Sequence, residues 1–319
     1  MGFFSYFFIV IFAIFIPLII FITVSKYAYK RAFYFPFSRP VVPFVAKSEN
    51  EGEFLKGLLA SEKILKSESF EPVYIKSYDG LSLFGRYYQG KAGAPLFIEF
   101  HGYKGDALRD VCATDMVFKS LGASTLIVDQ RAHGKSDGTT ISFGIKERFD
   151  CLQWIKWACE QFGEIPIFLS GISMGASSVL MASELDLPKN VCGIIADCAY
   201  SSPKEIIKKV CRDSGLPDRL LYPFISAGAF IFGKFNLNKF SPIKAVSKSK
   251  TPIIFMHGEA DTFVPCQMSA QIYDSCASEK YLYTFENAGH GYSFASDVEK
   301  YEHSVRDFVK NQLKKHAFT

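Results

Sequence analysis

Gly171-Ile172-Ser173-Met174-Gly175 is the stretch on which the reading of this 319-residue chain turns. Just before it, residues 165–170 (Ile-Pro-Ile-Phe-Leu-Ser) form a short apolar run of strand length. Just after it, residues 176–185 are rich in small and apolar side chains and suit a helix. A G-x-S-x-G between a strand and a helix is a nucleophile elbow. The spacing has a steric reason. The serine sits on a turn so tight that side chains two positions before and after it would collide, so Gly171 and Gly175 stand there. The turn lifts the Ser173 hydroxyl above the sheet edge and leaves the Met174 backbone N–H free to face a developing oxyanion. A glycine-rich turn that merely holds a serine is the competing reading, and the partner residues decide between the two.

Outward from the elbow, strands alternate with helices. Upstream lie two strands around Tyr78-Asp79-Gly80, a strand over residues 95–100 that ends at His101-Gly102, and a helix over 107–121. A buried strand over 125–129 follows, and then a helix on which Ile145, Phe149, Leu152, Ile155, Cys159 and Phe162 recur at steps of three and four. Downstream come strands over 191–198, 252–257 and 281–285, and helices over 267–276 and 298–313. This alternation predicts a mostly parallel sheet covered by helices on both faces. Residues 199–249 break the rhythm. They read as a small helical cap inserted over the C-terminal edge of the sheet, where such folds place their sites. Its apolar stretch, residues 222–237, reads either as packing of the cap on the body or as a wall for an acyl group.

A serine nucleophile needs a base and an orienting carboxylate, and elbow folds supply them in the order Ser, Asp, His. Four histidines follow Ser173: His257, His290, His303 and His316. His290 lies in a glycine-flanked loop directly after a strand, whereas His303 falls on the last helix and His316 in the tail. Asp261 occupies the loop beyond the strand that His257 ends. Asp197, at the end of the strand after the elbow helix, and Glu259 are the rival acids.

At this point the chain resembles a known family. His257-Gly258-Glu259-Ala260-Asp261-Thr262-Phe263-Val264-Pro265 is similar to the H-G-x-x-D-x-x-V-P stretch that carries the catalytic acid in α/β-hydrolases, nearest the esterase, serine aminopeptidase and dienelactone hydrolase-like branches. His101-Gly102-Tyr103-Lys104-Gly105 resembles their oxyanion loop. Residues 129–136 resemble their D-x-R-G-x-G-x-S loop, with Ala132 where glycine is usual. The resemblance covers residues 70–314. It implies the α/β-hydrolase fold, with Ser173 as nucleophile, His290 as general base and acid, Asp261 as the group that fixes the imidazole, and the Tyr103 and Met174 N–H groups as the oxyanion hole. It leaves His101 as a brace of the oxyanion loop, and His133 and Arg131 as structural loop residues.

Residues 3–24 contain 22 side chains without a charge. As a helix they would extend roughly 33 Å, enough for a bilayer core. They read as a retained single-pass anchor, with residues 1–25 spanning the membrane. Lys26, Lys30, Arg31 and Arg39, interleaved with aromatics, then resemble an interface collar. Pro36, Pro40 and Pro43 mark a linker, and Ser48 with Glu51 a capping box that opens a helix with Phe54, Leu58 and Leu65 on one face. On this reading residues 26–69 are collar, linker and helix, and 70–319 the hydrolase domain. The excess of Lys and Arg after the span places that domain on the cytoplasmic face.

Composition narrows the function. With 36 basic and 32 acidic residues the formal charge is +4, and no basic block or phosphate-binding fingerprint points to nucleic acid or nucleotides. Eight cysteines without a C-x-x-C read as reduced, buried thiols and not as a zinc site or disulfide framework. The expectation is a membrane-anchored serine hydrolase that cleaves small-molecule carboxylic esters through an acyl-enzyme, with no metal or organic cofactor. Peptide or amide cleavage, and a non-catalytic binding module on the same fold, are the alternatives.

Overall fold

The computed structural model describes residues 3–36 and 49–316. Helix α1 (Phe3–Ala32) and helix α2 (Glu49–Ser67) precede the sheet. Then come β1 (Glu71–Lys76), β2 (Ser82–Tyr88), β3 (Leu96–Phe100), α3 (Ala107–Ser120), β4 (Ser124–Asp129), α4 (Glu147–Phe162), β5 (Ile167–Ile172) and α5 (Met174–Ala182). The second half runs β6 (Val191–Asp197), α6 (Pro203–Asp213), α7 (Asp218–Ile231), α8 (Pro242–Val246), β7 (Ile253–Gly258), α9 (Cys266–Ser275), β8 (Lys280–Phe285), α10 (Ser293–Ser296) and α11 (Val298–Lys315).

The eight strands form one sheet in the order β1-β2-β4-β3-β5-β6-β7-β8. Strand β2 pairs antiparallel with β1 and β4, and every pairing from β4 to β8 is parallel. Strands β3, β4, β6 and β7 are buried along their whole length, which explains their unbroken apolar runs: helices cover both of their faces. Alternate residues of β3 show the two layers. Leu96, Ile98 and Phe100 pack with Trp154 of α4 and Val179 and Leu180 of α5. Phe97 faces the other way and stacks on Phe118 of α3 at 3.9 Å and on Phe168 of β5 at 5.0 Å. Each such fully buried side chain contributes about 1.5–3 kcal/mol of transfer free energy. The mostly parallel, doubly covered sheet is as expected. The eight thiols are unpaired, and six of them are buried.

Between β6 and β7 the chain forms α6, α7 and α8. Tyr222, Ile225, Ala229, Phe235 and Leu237 of this segment are buried in one cluster with Met174 and Met181 of the elbow helix. That cluster also takes in residues of the N-terminal segment, notably Phe33 and Phe35.

The single-pass membrane reading is overturned here, and with it the assignment to a cytoplasmic face. Among the described residues no helix is long and apolar enough to cross a membrane. The physical reason lies in how α1 continues. The helix does not stop at residue 24 but runs to Ala32, so the described part carries Lys26, Lys30 and Arg31 on the same helix as its apolar residues. Its second half packs against α7: Ser25 is fully buried, and Phe21 meets Phe224 with ring centroids 5.0 Å apart. The residues read as an interface collar are partly interior to the fold, with Phe33 fully buried. The side chains of residues 3–14, Arg39, Pro40 and Pro43, and Ser48 of the expected capping box lie outside the described residues.

Candidate active site

The turn from β5 into α5 holds Ser173 at φ 54° and ψ −114°, in the left-handed region that non-glycine residues avoid. Such a residue costs on the order of 1–3 kcal/mol, and its neighbours must hold it there. A Cβ on Gly171 would come within 2.4 Å of the Gly175 backbone. A Cβ on Gly175 would stand 2.0 Å from the Phe100 carbonyl oxygen, so the end of β3 is what crowds this second glycine. The Ser173 N–H donates to the Asp197 carbonyl at 2.8 Å, tying the elbow to β6. Helix α5 starts at Met174, so the Met174 N–H belongs to the first turn and has no intrahelical acceptor.

His290 stands between the other two members. Its Nε2 lies 2.9 Å from Ser173 Oγ and its Nδ1 2.7 Å from Asp261 Oδ2. The three residues come from the ends of β5, β7 and β8, brought to one sheet edge by parallel pairing. Asp261 is fully engaged. Its Oδ1 accepts from the Phe263 and Val264 N–H groups at 2.9 and 2.8 Å, and its Oδ2 faces His257 as well as His290. Burial alone would raise this carboxyl. The charge of His290 and hydrogen bonds from the two imidazoles outweigh burial and hold it well below the usual carboxylate range. His257 is fully buried on the far side of Asp261. There its Nε2 donates to the Val264 carbonyl at 2.7 Å and its Nδ1 accepts from Ser269 Oγ at 2.6 Å, a tautomer assigned from those partners.

The loop after β3 runs alongside the elbow: a Cβ on Gly102 would lie 3.6 Å from the Ser173 Cβ. Three groups brace this loop. His101 donates from Nδ1 to the Gly102 carbonyl at 2.8 Å and accepts at Nε2 from the Gln130 N–H at 3.1 Å. His133 accepts at Nε2 from the Lys104 N–H at 3.1 Å and donates from Nδ1 to the Arg131 carbonyl at 2.9 Å. Burial, and secondarily His101, push the His133 imidazole well below its ordinary pKa, so it stays neutral and able to accept. Asp110, in the first turn of α3, accepts from the Gly102 N–H at 3.0 Å and pairs with Arg109 at 2.7 Å. Asp110 belongs to no motif in the sequence; its only signal there is its place eight residues after Gly102, in the first turn of the helix that follows the loop.

The rival groups stand elsewhere. Asp197 accepts from Ser293 Oγ at 2.8 Å, and its complete burial lifts its carboxyl to about 6. Glu259 accepts from Thr284 Oγ1 at 2.6 Å, and His303 lies beside Asp307 on the exposed face of α11. Arg131 is clamped between Asp150 and Asp79, and Ala132 beside it takes φ 65°, which is why glycine suits that position. Among the described residues the one grouping of possible metal ligands is Cys198, Asp261 and His290, whose atoms lie within 4.8 Å of one another. Both Asp261 oxygens already hold hydrogen bonds, and burial keeps the Cys198 thiol protonated. This donor set does not fit a resident ion.

Ser173 is 8% exposed. Phe263 covers His290 edge-on at 5.0 Å, and Tyr103, Phe143 and Tyr200 form an aromatic row, Phe143 lying 5.0 Å from Tyr103 and 6.2 Å from Tyr200. What the arrangement can do chemically is move a proton from a hydroxyl to an imidazole beside a backbone N–H of a helix start.

Known proteins share this architecture. The structure of the Pyrococcus furiosus esterase Pf2001 superposes with a TM-score of 0.64 over 87% of this chain and 98% of that one, at 22% identity. Est1E from Butyrivibrio proteoclasticus, solved with ferulic acid bound, superposes with a TM-score of 0.58 over 76% of this chain and 99% of that one, at 21% identity. This chain is an α/β-hydrolase-fold protein. Residues 233–316 of the α/β-hydrolase fold match the prolyl oligopeptidase family, a stretch that includes Asp261 and His290. The uncharacterised protein YqkD of Bacillus subtilis is 27% identical over 253 residues, covering 76% of this chain and 82% of that protein. The lysophosphatidylserine lipase ABHD12 of Danio rerio is 26% identical over 172 residues, 52% of this chain but only 43% of that protein.

Proposed function

We propose that this α/β-hydrolase-fold protein is a serine hydrolase that cleaves carboxylic esters of small molecules through an acyl-enzyme. The observation that carries the reading is His290, with one ring nitrogen 2.9 Å from Ser173 Oγ and the other 2.7 Å from Asp261. Ser173 attacks the ester carbonyl while His290 Nε2 takes its proton. Asp261 holds the imidazole by Nδ1 and stabilises the imidazolium as it forms. The oxyanion is received by the Met174 and Tyr103 N–H groups. As the tetrahedral intermediate collapses, His290 returns the proton to the departing alcohol. Water then enters, gives its proton to His290, attacks the acyl carbonyl and releases the acid and Ser173. Esterases among the structural neighbours support an ester substrate.

Peptide or amide cleavage is the second reading, favoured by the match of residues 233–316 to the prolyl oligopeptidase family. One experiment separates the two. The purified protein is treated with a fluorophosphonate, then offered nitrophenyl esters from acetyl to palmitoyl and a set of aminoacyl amides. Covalent labelling with turnover of short and medium esters is expected. Turnover confined to aminoacyl amides establishes the peptidase reading. Absence of both labelling and turnover leaves a binding module.

A further inference from the structure

We infer that residues 29–35, the last turn of α1 and the segment leading out of it, form a strap that positions the oxyanion loop, so that turnover depends on a segment outside the sheet. The strap touches the loop directly. Tyr103 Oη donates to the Ala32 carbonyl at 2.7 Å, and Lys104 Nζ donates to the Arg31 carbonyl at 3.3 Å. Both acceptors belong to the last turn of α1, where helix carbonyls have no intrahelical donor. The same tyrosine whose N–H faces the developing oxyanion is therefore held at its other end by the end of α1.

The strap is itself anchored. Phe35 N–H donates to the Thr139 carbonyl at 2.9 Å, and the Ile141 N–H donates to the Phe33 carbonyl at 2.8 Å. Tyr34 and Thr140 form an antiparallel bridge, and Tyr29 Oη lies 2.6 Å from Thr140 Oγ1. Phe33 is fully buried, edge-on to Phe143 at 5.7 Å and to Phe235 at 5.2 Å, and Phe143 in turn contacts Tyr103. Phe35 packs at 5.3 Å on His133, the imidazole that accepts from the Lys104 N–H. Helix α1 is fixed against α7, where Gly228 lets the Ser25 carbonyl approach so closely that a Cβ would stand 2.4 Å from it.

The loop needs such holding. Lys104 adopts φ 52°, a conformation that a free loop would leave. An oxyanion hole contributes only as far as its donors are in place before charge develops, and loss of one donor costs about 10²–10³ in turnover. Loosening one donor forfeits a part of that, about 10-fold to 30-fold.

The inference rests on the acyl-transfer reading above, and the test separates the two. In Tyr103→Phe only the hydroxyl that reaches Ala32 is lost. Tyr29→Phe removes the strap's side-chain bond to Thr140, leaving the Tyr34–Thr140 backbone bridge and the loop untouched, and it keeps the test open if the first variant fails to fold. Two inhibitors are compared: a trifluoromethyl ketone, which adds to Ser173 and leaves an oxyanion in the hole, and the matching trifluoromethyl carbinol, which binds without one. In Tyr103→Phe the ketone inhibition constant should rise by the same factor that kcat/KM falls, with the carbinol unchanged. Tyr29→Phe should show the same pattern at smaller amplitude. Unchanged ketone binding, equal weakening of ketone and carbinol, or a rise in activity would each overturn the strap's role. If the wild-type protein neither labels with fluorophosphonate nor turns over any ester or amide, the acyl-transfer reading fails and the strap's role fails with it. If it labels normally and the variants match it, only the strap is lost.

Discussion

His290 and His257 meet at one carboxylate oxygen: Asp261 Oδ2 lies 2.7 Å from His290 Nδ1 and 3.2 Å from His257 Nε2. The two imidazoles are not equivalent. His257 is wholly buried and also donates to the Val264 carbonyl, while His290 is partly open and reaches Ser173. Asp261 thus has one neighbour that fixes it and another that it orients. Its second oxygen, held by two backbone N–H groups, prevents rotation away from either.

Replacement Asp261→Asn should lower turnover by about 10⁴, because the amide favours the wrong tautomer of His290. Asp197→Asn should cost far less, since Asp197 hydrogen-bonds Ser293 and not the imidazole. Ester turnover of the two variants checks this, and the opposite ranking would move the acid to Asp197.

Ser173→Ala should abolish fluorophosphonate labelling and lower turnover by about 10⁶. Ser173 Oγ bonds the partly exposed His290, whose freed Nε2 can turn to water, so the fold should survive loss of the hydroxyl and the thermal transition should stay within a few degrees. Labelling that persists in this variant would remove Ser173 from the chemistry.

Gly175→Ala should fail to fold or should lose activity together with several kcal/mol of stability. The added methyl would stand 2.0 Å from the Phe100 carbonyl oxygen, and neither β3 nor the elbow is free to yield. Circular dichroism and a urea midpoint measure the loss; a folded variant with normal turnover contradicts it.

The elbow was legible in the sequence because its constraint is local: two glycines at fixed spacing around a serine, between a strand and a helix. The alternation of strands and helices made the sheet legible for the same reason. What stayed hidden depended on contacts between residues far apart in the chain. Gly228 reads in sequence as an interruption of an apolar stretch, but it is the point where the Ser25 carbonyl nears α7. Tyr29 and Phe33 read as aromatics beside a basic cluster at a membrane surface. They pack instead on Phe232, Phe143 and Phe235, which periodicity cannot reveal. The count of uncharged residues over 3–24 suggested a span, whereas the helix runs on through Lys26 and Lys30 and docks on the body. Asp110 has no motif of its own, and His257, though it opens the stretch that carries Asp261, shows no role in sequence; their parts follow from how α3 and β7 place them.

Asp197 is an acidic group that the proposed chemistry leaves idle. Complete burial raises the Asp197 carboxyl from an ordinary 3.8 to about 6, the hydrogen bond from Ser293 offsetting only part of that penalty. A folded pKa above the unfolded one means that the folded protein binds the proton more tightly. The stabilising contribution is complete below the unfolded pKa and is lost as pH rises through the folded one. Wild-type stability should therefore decline, relative to Asp197→Asn, between about pH 4 and about pH 6, and the difference should stay constant above that. The relative gain of the amide variant across this window should approach about 3 kcal/mol, two units at 1.36 kcal/mol each. Urea midpoints of both proteins across the window give the answer. A difference that does not change with pH would mean that Asp197 stays ionised in the fold, with a counter-charge close enough to offset its burial.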